Sequence, residues 1–131
     1  MTGVAIQNST RRPTPRLPYR EIVERLLPKW EISLAFVGEK KAVELNKRLR
    51  NKAYVPNVLS YVAGKKNGEI IICLSEAHKQ APSYNMSERT FVLYLFIHGA
   101  LHIKGWAHGG RMERCERELL ARYEAAHSNW H

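Results

Sequence analysis

The chain contains no aspartate. Its 131 residues carry 12 acidic side chains, all glutamate, which removes every site built on an Asp ligand, an Asp-bearing triad or an aspartyl nucleophile. Cysteine is scarce: Cys73 and Cys115 are the two present, with no C-x-x-C pair. A disulfide framework and a zinc ribbon are therefore excluded. Both thiols are expected to be reduced and buried, as suits a cytoplasmic protein. Long apolar runs are also missing. The longest, Phe91 to Ile97, is far short of the ~20 residues that cross a bilayer. Met1 to Arg12 has no apolar stretch of the secretory kind, so a soluble, unprocessed chain is expected. No repeat, linker or low-complexity tract interrupts the sequence, and one domain over residues 1–131 follows.

Negative charge is in short supply. Lys and Arg total 21 against 12 acids, giving 21 − 12 = +9. Such an excess suits a polyanionic partner, nucleic acid or an anionic surface. With 44% hydrophobic and 25% charged residues, the composition is that of a globular domain with an ordinary core.

Patterning predicts an α+β fold: a small mixed four-stranded sheet, a buried helix and about four further helices. Val4–Ile6 reads as a short strand, followed by a basic, proline-bearing loop over Asn8–Pro18. Tyr19–Leu27 has helical apolar spacing and stops at Pro28. Trp30, Ile32, Leu34 and Phe36 alternate as a strand. Glu39–Arg50 reads as a basic amphipathic helix. Val58–Val62 and Glu69–Leu74 read as strands joined by a short glycine-bounded hairpin, and Ser75–Gln80 as a short helix. Ser87 is placed to cap a helix reaching Lys104, with Gly105 to end it. A last helix, Arg111–Ala126, shows the stripe Met112, Cys115, Leu119, Tyr123 and Ala126. Its charges suggest a solvated face laced by the pairs Glu113–Arg117, Arg114–Glu118 and Glu118–Arg122.

The chemistry concentrates in FVLYLFIHGALHIKGWAH, residues 91–108. On a helix, His98 and His102 share one face a turn apart; on a strand they would be ~13 Å apart, too far to share an ion. Gly105 can turn the chain back so that His108 faces them. Three imidazoles at about 2.0–2.1 Å from Zn²⁺ leave a fourth position for water, whose pKa falls toward ~7. One zinc ion is therefore expected on His98, His102 and His108. Nickel, copper or iron also accept such donors. Cys115 is a formal fourth donor, but its place on the apolar stripe assigns it to the core. His78, His127 and His131 show no spacing relation to the three and read as surface or tail residues.

The spacing H-x3-H-x2-G-x2-H also occurs in metzincin proteases, where a Glu after the first His is the base. That position is Gly99 here, which removes the base and leaves a metalloprotease as a remote alternative. HGALHIKGWAH instead resembles the H-G-x-L-H-L-x-G-Y-D-H signature of the YbeY endoribonucleases, bacterial rRNA maturation factors. Leu45-Asn46-x3-Arg50 with Asn57-Val58-Leu59-Ser60-Tyr61 resembles that family's LNxxYRGKDxPTDVLSF segment. Gly68–Ile72 resembles its GDIVIS strand, and Val4–Asn8 its first strand.

The resemblance implies a single-domain, zinc-dependent, single-strand endoribonuclease in 16S rRNA maturation, ribosome biogenesis and quality control. It implies ligands at His98, His102 and His108 and a functional arginine at Arg50. RNA and the ribosome are the partners it implies, with ribosomal or GTPase proteins also possible and neither DNA nor membrane. Two family carboxylates are changed: one position reads Asn57, and the residue before the third His reads Ala107. A non-catalytic, metal-stabilised RNA-binding assembly factor is the alternative that these changes keep open.

In the catalytic reading, water on the ion is the nucleophile and Arg50 pairs with the scissile phosphate. No general acid or base is identifiable from the sequence; Glu76 and Glu113 are available carboxylates near the motif segments. Lys40, Lys41, Lys47, Arg48, Lys52, Lys65 and Lys66, with Arg11, Arg12 and Arg16, could follow an RNA backbone. Tyr54, Tyr61 or Trp106 could stack a base, core packing being the simpler role for the last two.

Overall fold

The computed structural model describes residues 3–127, with side chains to residue 124. His131 lies outside the described residues, as do the side chains of Ala126 and His127. In chain order the elements are β1 (Gly3–Asn8), α1 (Tyr19–Leu26), β2 (Glu31–Val37), α2 (Glu39–Arg50), β3 (Val58–Gly64), β4 (Asn67–Cys73), α3 (Leu74–Gln80), a 3-10 turn (Ala81–Tyr84), α4 (Glu88–Lys104) and α5 (Gly110–His127). The sheet order is β1-β2-β4-β3. β1, β2 and β4 run parallel, and β3 runs antiparallel to β4. The hairpin closes tightly, Gly64 pairing with Asn67, and Lys66 takes φ 59° between them.

Both sheet faces are covered, unequally. Ile32, Leu34 and Phe36 of β2 and Ile70 and Ile72 of β4 point to the larger core, with Ile22 and Val23 of α1 and most of α4. The intervening Val37, Ile71 and Cys73 meet Ala42 and Leu45 of α2 and Leu59 of β3 in a smaller cluster. This is the period-two alternation of a sheet buried on both sides.

Two small residues set how closely α4 approaches the sheet. A Cβ on Gly99 would stand 3.2 Å from Ile70 Cγ2, and one on Gly68 would stand 2.9 Å from Ile103 Cδ1. The position that carries the base in the protease pattern is thus pressed against β4.

Two readings need correction. The charged run of α5 is not wholly solvated. Met112, Leu119 and Tyr123 are buried as the stripe predicts, but so is Glu116, at 4% exposure. The proposed pairs along α5 do not close; among the described residues Glu116 instead pairs with His98. Both cysteines are free, but only Cys73 is fully buried; Cys115 is partly buried, packed against the larger core. No helix among the described residues is long and apolar enough to cross a membrane.

Candidate metal centre

α4 is anchored at both ends. Ser87 Oγ accepts the Thr90 N–H at 3.1 Å, satisfying one of the donors a helix start leaves open. At the other end Gly105 takes φ 102°, and the Trp106 N–H returns to the Leu101 carbonyl at 3.0 Å. This left-handed stop reverses the chain after His102, and Ala107 and His108 fold back over the last turn.

The three imidazoles converge. Ring centroids are 4.6 Å apart for His98–His102, 5.1 Å for His98–His108 and 4.5 Å for His102–His108. One nitrogen from each lies within 4.8 Å of the others, and His98 Nε2 and His102 Nε2 are 3.1 Å apart. Nitrogens at tetrahedral positions around one zinc ion would stand about 3.4 Å from each other. The donor set therefore fits one transition-metal ion, and three imidazoles favour zinc, nickel, copper or iron over magnesium or calcium.

Sequence reasoning missed the residue behind His98. Glu116 Oε2 accepts from His98 Nδ1 at 2.5 Å, and the glutamate side chain is only 5% exposed. An ionised carboxylate only accepts, so the ring proton sits on Nδ1 and the Nε2 lone pair is directed at the other imidazoles. A signal was present: Met112, Glu116, Leu119 and Tyr123 follow the 4-3-4 spacing of a buried helix face.

The electrostatics favour ligation. Burial first, then His98 and His108, hold His102 below its ordinary pKa; Arg50 acts in the same direction and Glu116 opposes it. The ring therefore stays neutral, with a free lone pair, to lower pH than an exposed histidine. One turn before His98, burial and then Glu116 push the Tyr94 hydroxyl up to about 12, so it remains neutral.

The imidazoles open into a cavity of about 500 Å³ that Arg50, Asn57, Val58, Leu59 and Ser60 also line. α2 delivers Arg50 at its last turn and ends at Asn51 in the left-handed conformation. Buried Asn46 then ties down the following loop, its Nδ2 donating to the Tyr54 carbonyl at 3.0 Å. Arg50 Nη1 in turn donates to the Tyr54 hydroxyl at 2.9 Å. Tyr54 is 53% exposed, the most accessible of the three aromatics named from sequence. Tyr61 packs on the smaller cluster. Trp106 packs on the larger core, with the Arg111 guanidinium 4.9 Å from its ring centre.

Other candidates lie elsewhere. Glu76 is engaged by Gln80 and Lys79, and Glu113 is not part of the cavity wall. His78 pairs with Glu88. Cys115 borders a separate cleft with Arg25 and Lys104, so it is no fourth donor. Lys65 and Lys66 sit at the hairpin, at the opposite end of β3 from Asn57, and Lys66 caps the Trp30 ring. Arg12 pairs with Glu88, and Arg16 gives its carbonyl to Arg89. A further cavity of about 540 Å³, lined by Arg20, Glu31 and Glu69 among others, lies across the sheet and includes no imidazole.

A family model described as Endoribonuclease YbeY matches residues 10–128. The chain belongs to the YbeY endoribonuclease family. An Endoribonuclease YbeY of Spiroplasma citri is 36% identical over 91 residues, covering 60% of this chain and 58% of that protein. The Aromatoleum aromaticum protein of the same description is 28% identical over 121 residues, 90% of this chain and 79% of its own. That of Pseudomonas putida is 34% identical over 104 residues, 70% and 66% of the two chains. The chain thus spans less than two-thirds of the Spiroplasma protein. Among solved structures, the solution structure of TM1509 from Thermotoga maritima has the same fold, with a TM-score of 0.69 at 21% identity over 97% of this chain and 93% of that one.

Proposed function

We propose that residues 1–131 form a single metal-dependent endoribonuclease domain that cuts single-stranded RNA in the cytoplasm, with rRNA of the small subunit as substrate and the ribosome and its protein factors as partners. The observation that carries this reading is the convergence of His98, His102 and His108 on a cavity shared with Arg50. Family membership and the +9 charge support it.

His98, His102 and His108 would hold the ion, zinc being the best match to three imidazoles. When bound, such an ion supplies Lewis acidity and lowers the pKa of water at the site. Arg50 binds the phosphate: its planar fork matches two phosphate oxygens and offsets charge that grows during cleavage. The Tyr54 hydroxyl holds that guanidinium at the cavity rim. Glu116 keeps the His98 proton on Nδ1, so the ring presents Nε2 throughout. Basic α2 residues such as Lys47 and Arg48 extend the positive surface from Arg50 along the helix.

Purified protein loaded with zinc should cleave an unstructured RNA oligonucleotide, and His98→Ala prepared identically should not. Cleavage by both preparations would indicate a contaminant and overturn the assignment. RNA binding without cleavage by the loaded wild type would favour an assembly factor without turnover, the reading that Asn57 and Ala107 at family carboxylate positions suggest.

A further inference from the structure

A hydrogen-bond relay runs from α3 to Asn57 on the wall of the same cavity. Lys79 Nζ lies 3.7 Å from Glu76 Oε2, and Glu76 Oε1 accepts from Gln80 Nε2 at 2.9 Å. Gln80 Oε1 accepts from Asn57 Nδ2 at 2.9 Å. The direction of this chain is fixed by its first member. An ionised carboxylate can only accept, so Gln80 must turn its NH₂ toward Glu76 and its oxygen toward Asn57. Asn57 must then spend its NH₂ on Gln80. Its Oδ1 accepts from no described residue, although Asn57 lines the cavity with the three imidazoles and Arg50.

Building on the ribonuclease reading, we propose that Asn57, oriented by Gln80 and Glu76, is a specificity residue whose Oδ1 accepts a hydrogen bond from the substrate's ribose 2′-hydroxyl. The chemistry points to that donor. A phosphate group on Arg50 offers only acceptors. The 2′-hydroxyl is the donor beside each 3′-phosphate in RNA, and DNA lacks it. Asn57 with its oxygen toward the cavity favours the strand that carries the hydroxyl. A reversed amide would present NH₂ and lose that preference. Gln80 and Glu76 are positioning residues, acting only through Asn57.

The test compares binding of one single-stranded sequence made as RNA and as its 2′-fluoro analogue, which keeps the sugar pucker but cannot donate. Zinc-loaded wild-type protein should bind the RNA roughly 3- to 10-fold more tightly, the worth of one hydrogen bond. In Asn57→Ala the ratio should collapse toward one, with zinc content and melting temperature retained. Asn57→Asp, which keeps an acceptor, should retain the preference. Gln80→Leu should reduce it by freeing the amide to turn. An unchanged ratio in Asn57→Ala, or no preference in the wild type, overturns the proposal while leaving the ribonuclease reading intact. Failure of the wild type to bind either strand overturns both.

Discussion

α4 and α2 contribute opposite halves of one site from opposite faces of the sheet. α4 buries ten of its 17 residues, and its histidines emerge from a helix pressed onto β4 at Gly99. α2 buries three of its 12 residues and carries Arg50 on its last, exposed turn. The difference matches the demands on each half. Metal ligands must hold nitrogen positions to a few tenths of an ångström, which a packed helix with a carboxylate behind one ring provides. A guanidinium facing a mobile phosphate needs reach and charge, and a lightly anchored helix end is sufficient for that.

Breaking the ligand half should have the largest effect. His102→Ala should abolish zinc retention through gel filtration, measured as metal per chain, while the helical circular dichroism persists. Near-stoichiometric zinc in that variant would dissociate the histidines from metal binding. Glu116→Gln should weaken zinc binding roughly 10- to 100-fold, the usual effect of removing a partner behind a ligand. Competition with a chelating dye reads this directly, and an unaltered affinity would make Glu116 a merely structural acid. Arg50→Ala should do the reverse. Its zinc affinity should match wild type, while RNA cleavage falls by about 10- to 100-fold, as expected for a lost charge-assisted contact. If Arg50→Ala lost zinc, or if Glu116→Gln kept zinc and lost only RNA, the division between the two helices would be wrong.

How legible each half was follows from the kind of signal it leaves. β2 announces itself because Ile32, Leu34 and Phe36, which face the larger core, alternate with Glu31, Ser33 and the small Ala35. The parallel order β1-β2-β4 is not written in any strand; it depends on where α1 and α2 cross, which involves contacts distant in sequence. The three histidines are legible because a helix followed by a glycine reversal makes their spacing a distance. For Glu116 the 4-3-4 spacing marks a buried position but not its role, because its partner His98 lies 18 positions away and its neighbours Arg114, Arg117 and Glu118 make the segment look solvated. The Glu76–Gln80–Asn57 relay was hidden for the same reason: Asn57 and Gln80 are 23 positions apart, and only the fold brings α3 to the start of β3.

The smallest expected effect concerns protonation of the metal-free ligand half. His102 is held below its ordinary value of 6.5, mainly by burial and by the neighbouring imidazoles. Between the depressed value and 6.5 the unfolded chain therefore binds more protons at this residue than the folded one, so acid favours unfolding. Stability from the neutral ring is fully present above 6.5 and is lost as pH falls through the folded value. The melting temperature of chelator-treated protein should drop between pH 7.5 and pH 5.5, and His102→Gln, which cannot take up the proton, should show a shallower drop over the same interval. Arg50→Gln should also lessen the decline, though less, because Arg50 contributes the last and smallest of the effects that hold His102 down. Identical slopes in wild type and His102→Gln would mean that the ring is as free to charge in the folded protein as in the unfolded chain. The tight packing of α4 would then govern only where the nitrogens are, not their readiness to bind an ion.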